Sequence, residues 1–129
     1  MYCLDTNIII DLLRGDKQLT KLMQDKSRDD FAITSIALCE LFRGAYRDSH
    51  SHQALKDIQE VTDNMDFLTL DKKSCDLFGK IHARLHKIGK PTQEADLFIA
   101  SITLSHNAIL VTRNPDDFKN IESLRVETW

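Results

Sequence analysis

The chain has 129 residues, 42% hydrophobic and 29% charged, the makeup of a globular domain rather than a disordered segment. Lys and Arg number 17 against 20 Asp and Glu, a net charge of −3, which argues against a nucleic-acid coat or a basic membrane-surface binder, since both need a positive excess. A single domain over residues 1–129 is expected to bury roughly two-thirds of its unfolded surface, enough to hold without disulfides or a structural metal.

The apolar run Tyr2-Cys3-Leu4 predicts a first strand so short that only an interior place in a sheet supports it. Asp5-Thr6-Asn7 leads into a helix over residues 8–13, stopped by Arg14-Gly15-Asp16. A second, amphipathic helix runs to about Lys26, with Leu19, Leu22 and Met23 inward. Residues 31–34 read as the second strand, and Ser35 as the cap of a helix over residues 36–46. The polar stretch 49–65 is helical, with Leu55, Ile58 and Val61 as its apolar stripe, and residues 67–70 form a third strand. Asp71 and Ser74 open a long helix with a core face of Cys75, Phe78, Ile81, Leu85 and Ile88, ended by Gly89 and Pro91. Residues 93–106 predict a helix apolar on most sides, 108–112 a fourth strand, and 124–126 a fifth.

Strands alternating with helices give an α/β fold, a central parallel β-sheet of about four to five short strands flanked by helices on both faces. Cys3, Cys39 and Cys75 form no CxxC pair and lie among apolar neighbours, so they read as buried free thiols of a reducing compartment. Asp5 and Asp11 interrupt the only apolar stretch near the amino terminus, and no run reaches the roughly 18 apolar residues of a membrane span. The expectation is a cytoplasmic protein.

Among 20 acids, four stand where a carboxylate is costly. Asp5 ends the first apolar run, Glu40 lies inside Ile36-Ala37-Leu38-Cys39-Glu40-Leu41-Phe42, Asp96 opens ADLFIASITL, and Asp117 follows ILVT with Asn114 and Asp116 beside it. Open parallel sheets bind ligands beyond the carboxyl ends of their strands, and all four acids fall at that edge. Crowded carboxylates require raised pKa values or a cation. Oxygen-only ligands favour Mg²⁺, with Mn²⁺ as substitute, over zinc. Such sites activate water against phosphodiesters.

LDTNIIIDLLRG, SIALCELFRGA, EADLFIAS, ILVTRNPDDF and LRVETW, in that order, resemble the PIN-domain ribonucleases, and especially the VapC-type toxins of bacterial type II toxin–antitoxin modules. The resemblance covers essentially the whole chain. It implies a PIN-like fold and a Mg²⁺-dependent endoribonuclease with Asp5, Glu40 and Asp96 as the acidic metal site. Asp5 and Asp96 would be the principal ligands, with Thr6 and Asn7 supporting the first. The fourth position stays open between Asp117 and Asn114, because many relatives carry an acid where Asn114 stands. The implied partners are a VapB-like antitoxin, RNA and a second copy of the chain in a homodimer, with no membrane.

Arg43, one turn after Glu40, and Arg113, beside the fourth motif, are the cations placed to meet a phosphate. Lys80, Arg84 and Lys87 share a helix face, either as solvated surface or as a phosphate track. His82 and His86 lack the Glu of HExxH, and no zinc site is expected there. Asp11 reads as the polar side of its helix. Two other functions compete: a catalytically idle RNA- or protein-binding domain of this fold, and a phosphotransfer enzyme using Asp5. That enzyme would be receiver-like or haloacid-dehalogenase-like, and the haloacid-dehalogenase-like kind normally needs a second Asp where Asn7 stands.

Overall fold

The computed structural model describes all of residues 1–129. Five strands form one sheet in the order β3-β2-β1-β4-β5, all neighbours parallel: β1 (Tyr2–Leu4), β2 (Phe31–Thr34), β3 (Asp66–Leu68), β4 (Ile109–Val111) and β5 (Arg125–Glu127). Six helices flank it: α1 (Thr6–Leu13), α2 (Lys17–Gln24), α3 (Ser35–Arg47), α4 (Ser51–Thr62), α5 (Lys72–Lys87) and α6 (Glu94–Ser105). None of them is long and apolar enough to cross a membrane.

Strand β1 is central, as its brevity requires. Cys3 pairs with Ala32 on one side and Leu110 on the other, and both Cys3 and Leu4 are fully buried. Alternate strand residues face opposite ways. Cys3 and Ala32 accordingly pack with Leu68, Ile102 and Ala108, whereas Leu4 and Ile33 join Ile8, Ile9, Leu41 and Leu97. The chain winds outward from β1 through β2 to β3, then returns to add β4 on the other side of β1. The order therefore reverses between β1 and β4, and a crevice opens beyond their carboxyl ends. Helix α6 buries six residues, from Leu97 to Thr103, in keeping with its apolar circumference.

Several local expectations shift. Thr34, not Ser35, caps α3, its hydroxyl accepting from the Ala37 N–H at 3.1 Å. The inner stripe of α5 runs through Ser74, Phe78, Ile81 and Leu85, leaving Cys75 and Ile88 exposed. Ser74 belongs inside because it closes a reciprocal cap with Asp71: its N–H reaches the Asp71 carboxylate and its hydroxyl accepts the Asp71 N–H, each at 2.7 Å. Of the three cysteines only Cys3 is in the core, where burial pushes its thiol up to about 11; Cys39 is exposed as well. Leu22 also faces solvent, and α2 is anchored by Leu19.

Candidate active site

The chain leaves β1 directly into α1, and the residue at the corner is Asp5. It caps the helix, with Oδ1 accepting the Thr6 N–H at 2.8 Å. Its other oxygen accepts from the Thr112 hydroxyl at 2.7 Å and from the Asn7 amide at 3.3 Å. Thr112 follows β4, and the Asp5 N–H donates to the Val111 carbonyl at 2.9 Å, so the two strand ends are laced together across the switch point. Burial is the main force raising the Asp5 pKa, reinforced by the charges of Glu40 and Asp117; the bonds from Thr112 and Thr6 oppose it. Only 6% of Asp5 is exposed, but its two oxygens are held in fixed directions by three donors.

Asn7 is the second fixed point. Its amide nitrogen donates to Asp5 and to the Thr112 hydroxyl, both at 3.3 Å, and its oxygen accepts the Arg113 backbone N–H at 3.1 Å. The Thr6 hydroxyl reaches the other way, donating to Glu40 on α3 at 2.5 Å. Asp96 stands in the first turn of α6, half-buried. Its pKa is pushed up to about 6, first by burial and then by the charges of Asp5, Asp117 and Glu40. Asn114 stands at the cap of the 3-10 turn after β4 (Pro115–Phe118), and Asp117 lies within that turn.

One open cleft of about 290 Å³ gathers Asp5, Thr6, Asn7, Glu40, Arg43, Asp96, Asn114 and Asp117. Every sequence-predicted site residue lines it except Arg113. The Arg113 guanidinium pairs instead with Asp11 at 2.9 Å and Asp16 at 3.0 Å and reaches the Trp129 carbonyl. This corrects the reading of Arg113 as a phosphate contact and of Asp11 as mere polar surface. Thr112 is the site residue that sequence reasoning passed over. A fully buried hydroxyl closing an apolar strand, level with Asp5, was its one signal.

The basic face of α5 is largely paired as well: Lys80 with Asp76 at 2.6 Å, and Arg84 with Glu122 and the Asn120 carbonyl. His82 stacks on Phe78, 6.0 Å between ring centroids, beside a small cavity with His86, Leu85 and Leu97. The largest cavity, about 500 Å³, lies between α1, α2 and α4, is lined by Leu12, Met23, Phe31, Val61 and Met65, and holds none of the acids.

The possible metal donors of the acid cleft are oxygens throughout: four carboxylates, two amides and a hydroxyl. These side chains do not close into a ready three-ligand cage. Mg²⁺ does not ask for one: it keeps several waters and takes one or two carboxylates. The upward pKa shifts of Asp5 and Asp96 mark negative charge that a hard cation would relieve, so the residues fit such an ion.

The sequence profile of the PIN domain matches residues 2–124. The chain is 32% identical to "Ribonuclease VapC1" of Haemophilus influenzae (strain R2866), covering 100% of this chain and 98% of the relative. It is 29% identical to the "tRNA(fMet)-specific endonuclease VapC" of Shigella flexneri, over 99% and 97%. Among solved structures, it resembles a chain of VapBC2 from Rickettsia felis bound to a promoter DNA fragment, with a TM-score of 0.93, 27% identity and coverage of 99% and 98%. A chain of VapBC-1 from nontypeable Haemophilus influenzae gives a TM-score of 0.89, 32% identity and coverage of 99% and 97%.

Proposed function

This chain belongs to the PIN-domain family, and from that membership we propose that it is a metal-dependent endoribonuclease, the toxin of a VapBC-like toxin–antitoxin pair. The observation that carries the reading is the convergence of Asp5, Glu40, Asp96 and Asp117 on one open cleft at the switch point of the sheet.

Asp5 and Asp96, with Glu40 beside them, would hold Mg²⁺, for which Mn²⁺ substitutes. Bound there, the ion supplies charge neutralisation at the scissile phosphate and lowers the pKa of water. Thr112, Asn7 and the Thr6 N–H keep the Asp5 oxygens aimed, and the Thr6 hydroxyl holds Glu40 in register with them. Burial and the charges of Asp5, Asp117 and Glu40 push the Asp96 pKa up to about 6, and a cation held there would favour its ionised form. Glu40, together with Asp117 or Asn114, orients the attacking water. Arg43, exposed on the rim, faces the phosphate. In-line attack leaves a 5′-phosphate and a 3′-hydroxyl. In this reading residues 1–129 act as one domain in the cytoplasm, paired with a second copy and restrained by a VapB-like antitoxin.

The test is RNA cleavage by the purified protein with Mg²⁺, with Mn²⁺ and with EDTA. Cleavage is expected with either metal and lost in EDTA; equal cleavage in EDTA would overturn the metal-site reading. Expressed without an antitoxin, the chain is expected to arrest bacterial growth, whereas Asp5→Asn is not. Equal toxicity at equal soluble level would point to an idle binding domain instead.

A further inference from the structure

Beside the acid cleft lies a second, polar cleft of about 300 Å³, and the two share Asp96 and Asp117 as common walls. Thr92 and Gln93 form one side of it and Lys119 and Asn120 the other. The Lys119–Asn120 wall is fixed in place. Phe118 and Ile121, 2% and 4% exposed, clamp it from both ends, and Arg84 of α5 donates to the Asn120 carbonyl while pairing with Glu122. Arg84, one of the basic residues of α5, therefore acts as a brace for this wall. The side chains it presents are left available. Lys119 has only a 4.0 Å pairing with Asp116, both ends largely in water, where such a pair is worth little. Gln93 occupies the cap position of α6 but makes no side-chain cap bond.

An RNA strand crossing Asp5 and Asp96 must continue in both directions from the reacting phosphate. Each cleft carries one basic side chain, Arg43 in the acid cleft and Lys119 in its neighbour, so one cation stands on either side of the shared carboxylates. The second cleft is at the small end of ligand pockets; besides the carboxylates of Asp96, Asp116 and Asp117 and the Lys119 ammonium it presents two amides and a hydroxyl, which suits the edge of one splayed-out base rather than a duplex. We propose that this cleft seats the nucleotide adjoining the scissile phosphate of single-stranded RNA. Lys119 neutralises its outer phosphate, and the amides of Gln93 and Asn120 hydrogen-bond the base edge, with Thr92 beside them. The inference rests on the endoribonuclease reading above and adds to it a position at which sequence is read.

The experiment compares cleavage of a single-stranded RNA by the wild-type chain and by variants, with each nucleotide around the cut varied in turn. Lys119→Ala is expected to raise KM several-fold for every sequence with kcat little changed. It should also reduce the slope of log kcat/KM against log salt by about one, the signature of one lost phosphate contact. Lys119→Glu should do more. Asn120→Ala and Gln93→Ala should flatten the preference at a single position beside the cut by about tenfold and leave the other positions alone. Lys56→Ala, exposed on α4 and outside both clefts, is the control and should match wild type. Variants that keep wild-type KM, salt slope and nucleotide preference overturn the proposal, as does an equal rise in KM for Lys56→Ala. A wild-type chain that cleaves no RNA overturns the endoribonuclease reading itself, an outcome visible before any variant is compared.

Discussion

Asp11 and Asp16 follow Asp5 by only a few turns of chain, yet the fold treats them in opposite ways. Asp11 and Asp16 share the Arg113 guanidinium at 2.9 and 3.0 Å, and Asp16 also caps α2 through the Leu19 N–H at 2.9 Å. Asp5, Glu40, Asp96 and Asp117 take part in none of the ion pairs within the chain. Burial, reinforced by the neighbouring charges, raises the pKa values of Asp5 and Asp96. Arg113 even touches both regions: its backbone N–H orients Asn7 in the acid cleft while its side chain neutralises the acids outside it. One group of carboxylates is balanced from within the chain and supports the fold. The other has no cationic partner within the chain, as the proposed metal site requires, and that difference separates the site from the scaffold more sharply than burial does.

The contrast is tested most severely by charge removal in the cleft. Asp5→Asn and Asp96→Asn are expected to lower single-turnover RNA cleavage by about a hundredfold or more, the size of losing a group that stabilises charge in the transition state. Arg113→Ala should do the converse. It strands two acids that are each about a third exposed, so it is expected to cost roughly 2 kcal/mol in urea unfolding, below the range for a fully buried pair because solvent screens part of it. Cleavage per folded molecule should change little. An Arg113→Ala protein of wild-type stability but impaired cleavage would erase the distinction. Thr112→Val sits between the two regions: it removes a buried donor to Asp5, so about 1 kcal/mol of stability and roughly tenfold in cleavage should go together.

These two groups of acids were not equally legible in the sequence. Glu40 and Asp96 announce themselves because each interrupts an apolar helical face, and Asp5 because it ends a strand too short to be anything but central. The parallel order followed from the alternation of elements, since a crossover helix between parallel strands is what short loops allow. Arg113 was misread because its sequence neighbours are site residues, while its guanidinium spans to Asp11 and Asp16, roughly a hundred residues away in the chain. Local position says nothing of where a long side chain ends. Cys75 and Ser74 exchanged faces for a different reason: a helix advances about 100° per residue, so a stripe displaced by one position looks almost as apolar. The capping bonds of Ser74, not its hydrophobicity, decide which face turns inward.

The smallest effect sharpens the contrast furthest, because it changes sign between the two kinds of acid. In metal-free protein Asp96 titrates at about 6 rather than its usual 3.8. Between those values the native state holds a proton that the unfolded chain has released. The resulting stabilisation is complete below 3.8 and is lost as pH rises through about 6. In EDTA, wild type should therefore melt lower at neutral pH than in mild acid. Asp96→Asn should lose the part of that slope that belongs to Asp96, together with whatever the Asp96 charge adds through its coupling to Asp5. Because Asp96 is only half-buried, solvent screens its repulsion, and the variant should gain ~1 kcal/mol at neutral pH, about 3–4 °C in Tm. Mg²⁺ should raise the Tm of wild type, since a ligand held only by the folded state shifts the equilibrium toward it, and should raise the variant much less. An acid serving the scaffold, as Asp11 and Asp16 do, predicts the reverse, because removing its charge breaks a pairing and metal is irrelevant to it. Differential scanning fluorimetry of both proteins across pH, with EDTA and with Mg²⁺, separates the two. An Asp96→Asn protein that melts below wild type at neutral pH, beside a wild type indifferent to Mg²⁺, would move Asp96 out of the metal site and into the company of the paired acids.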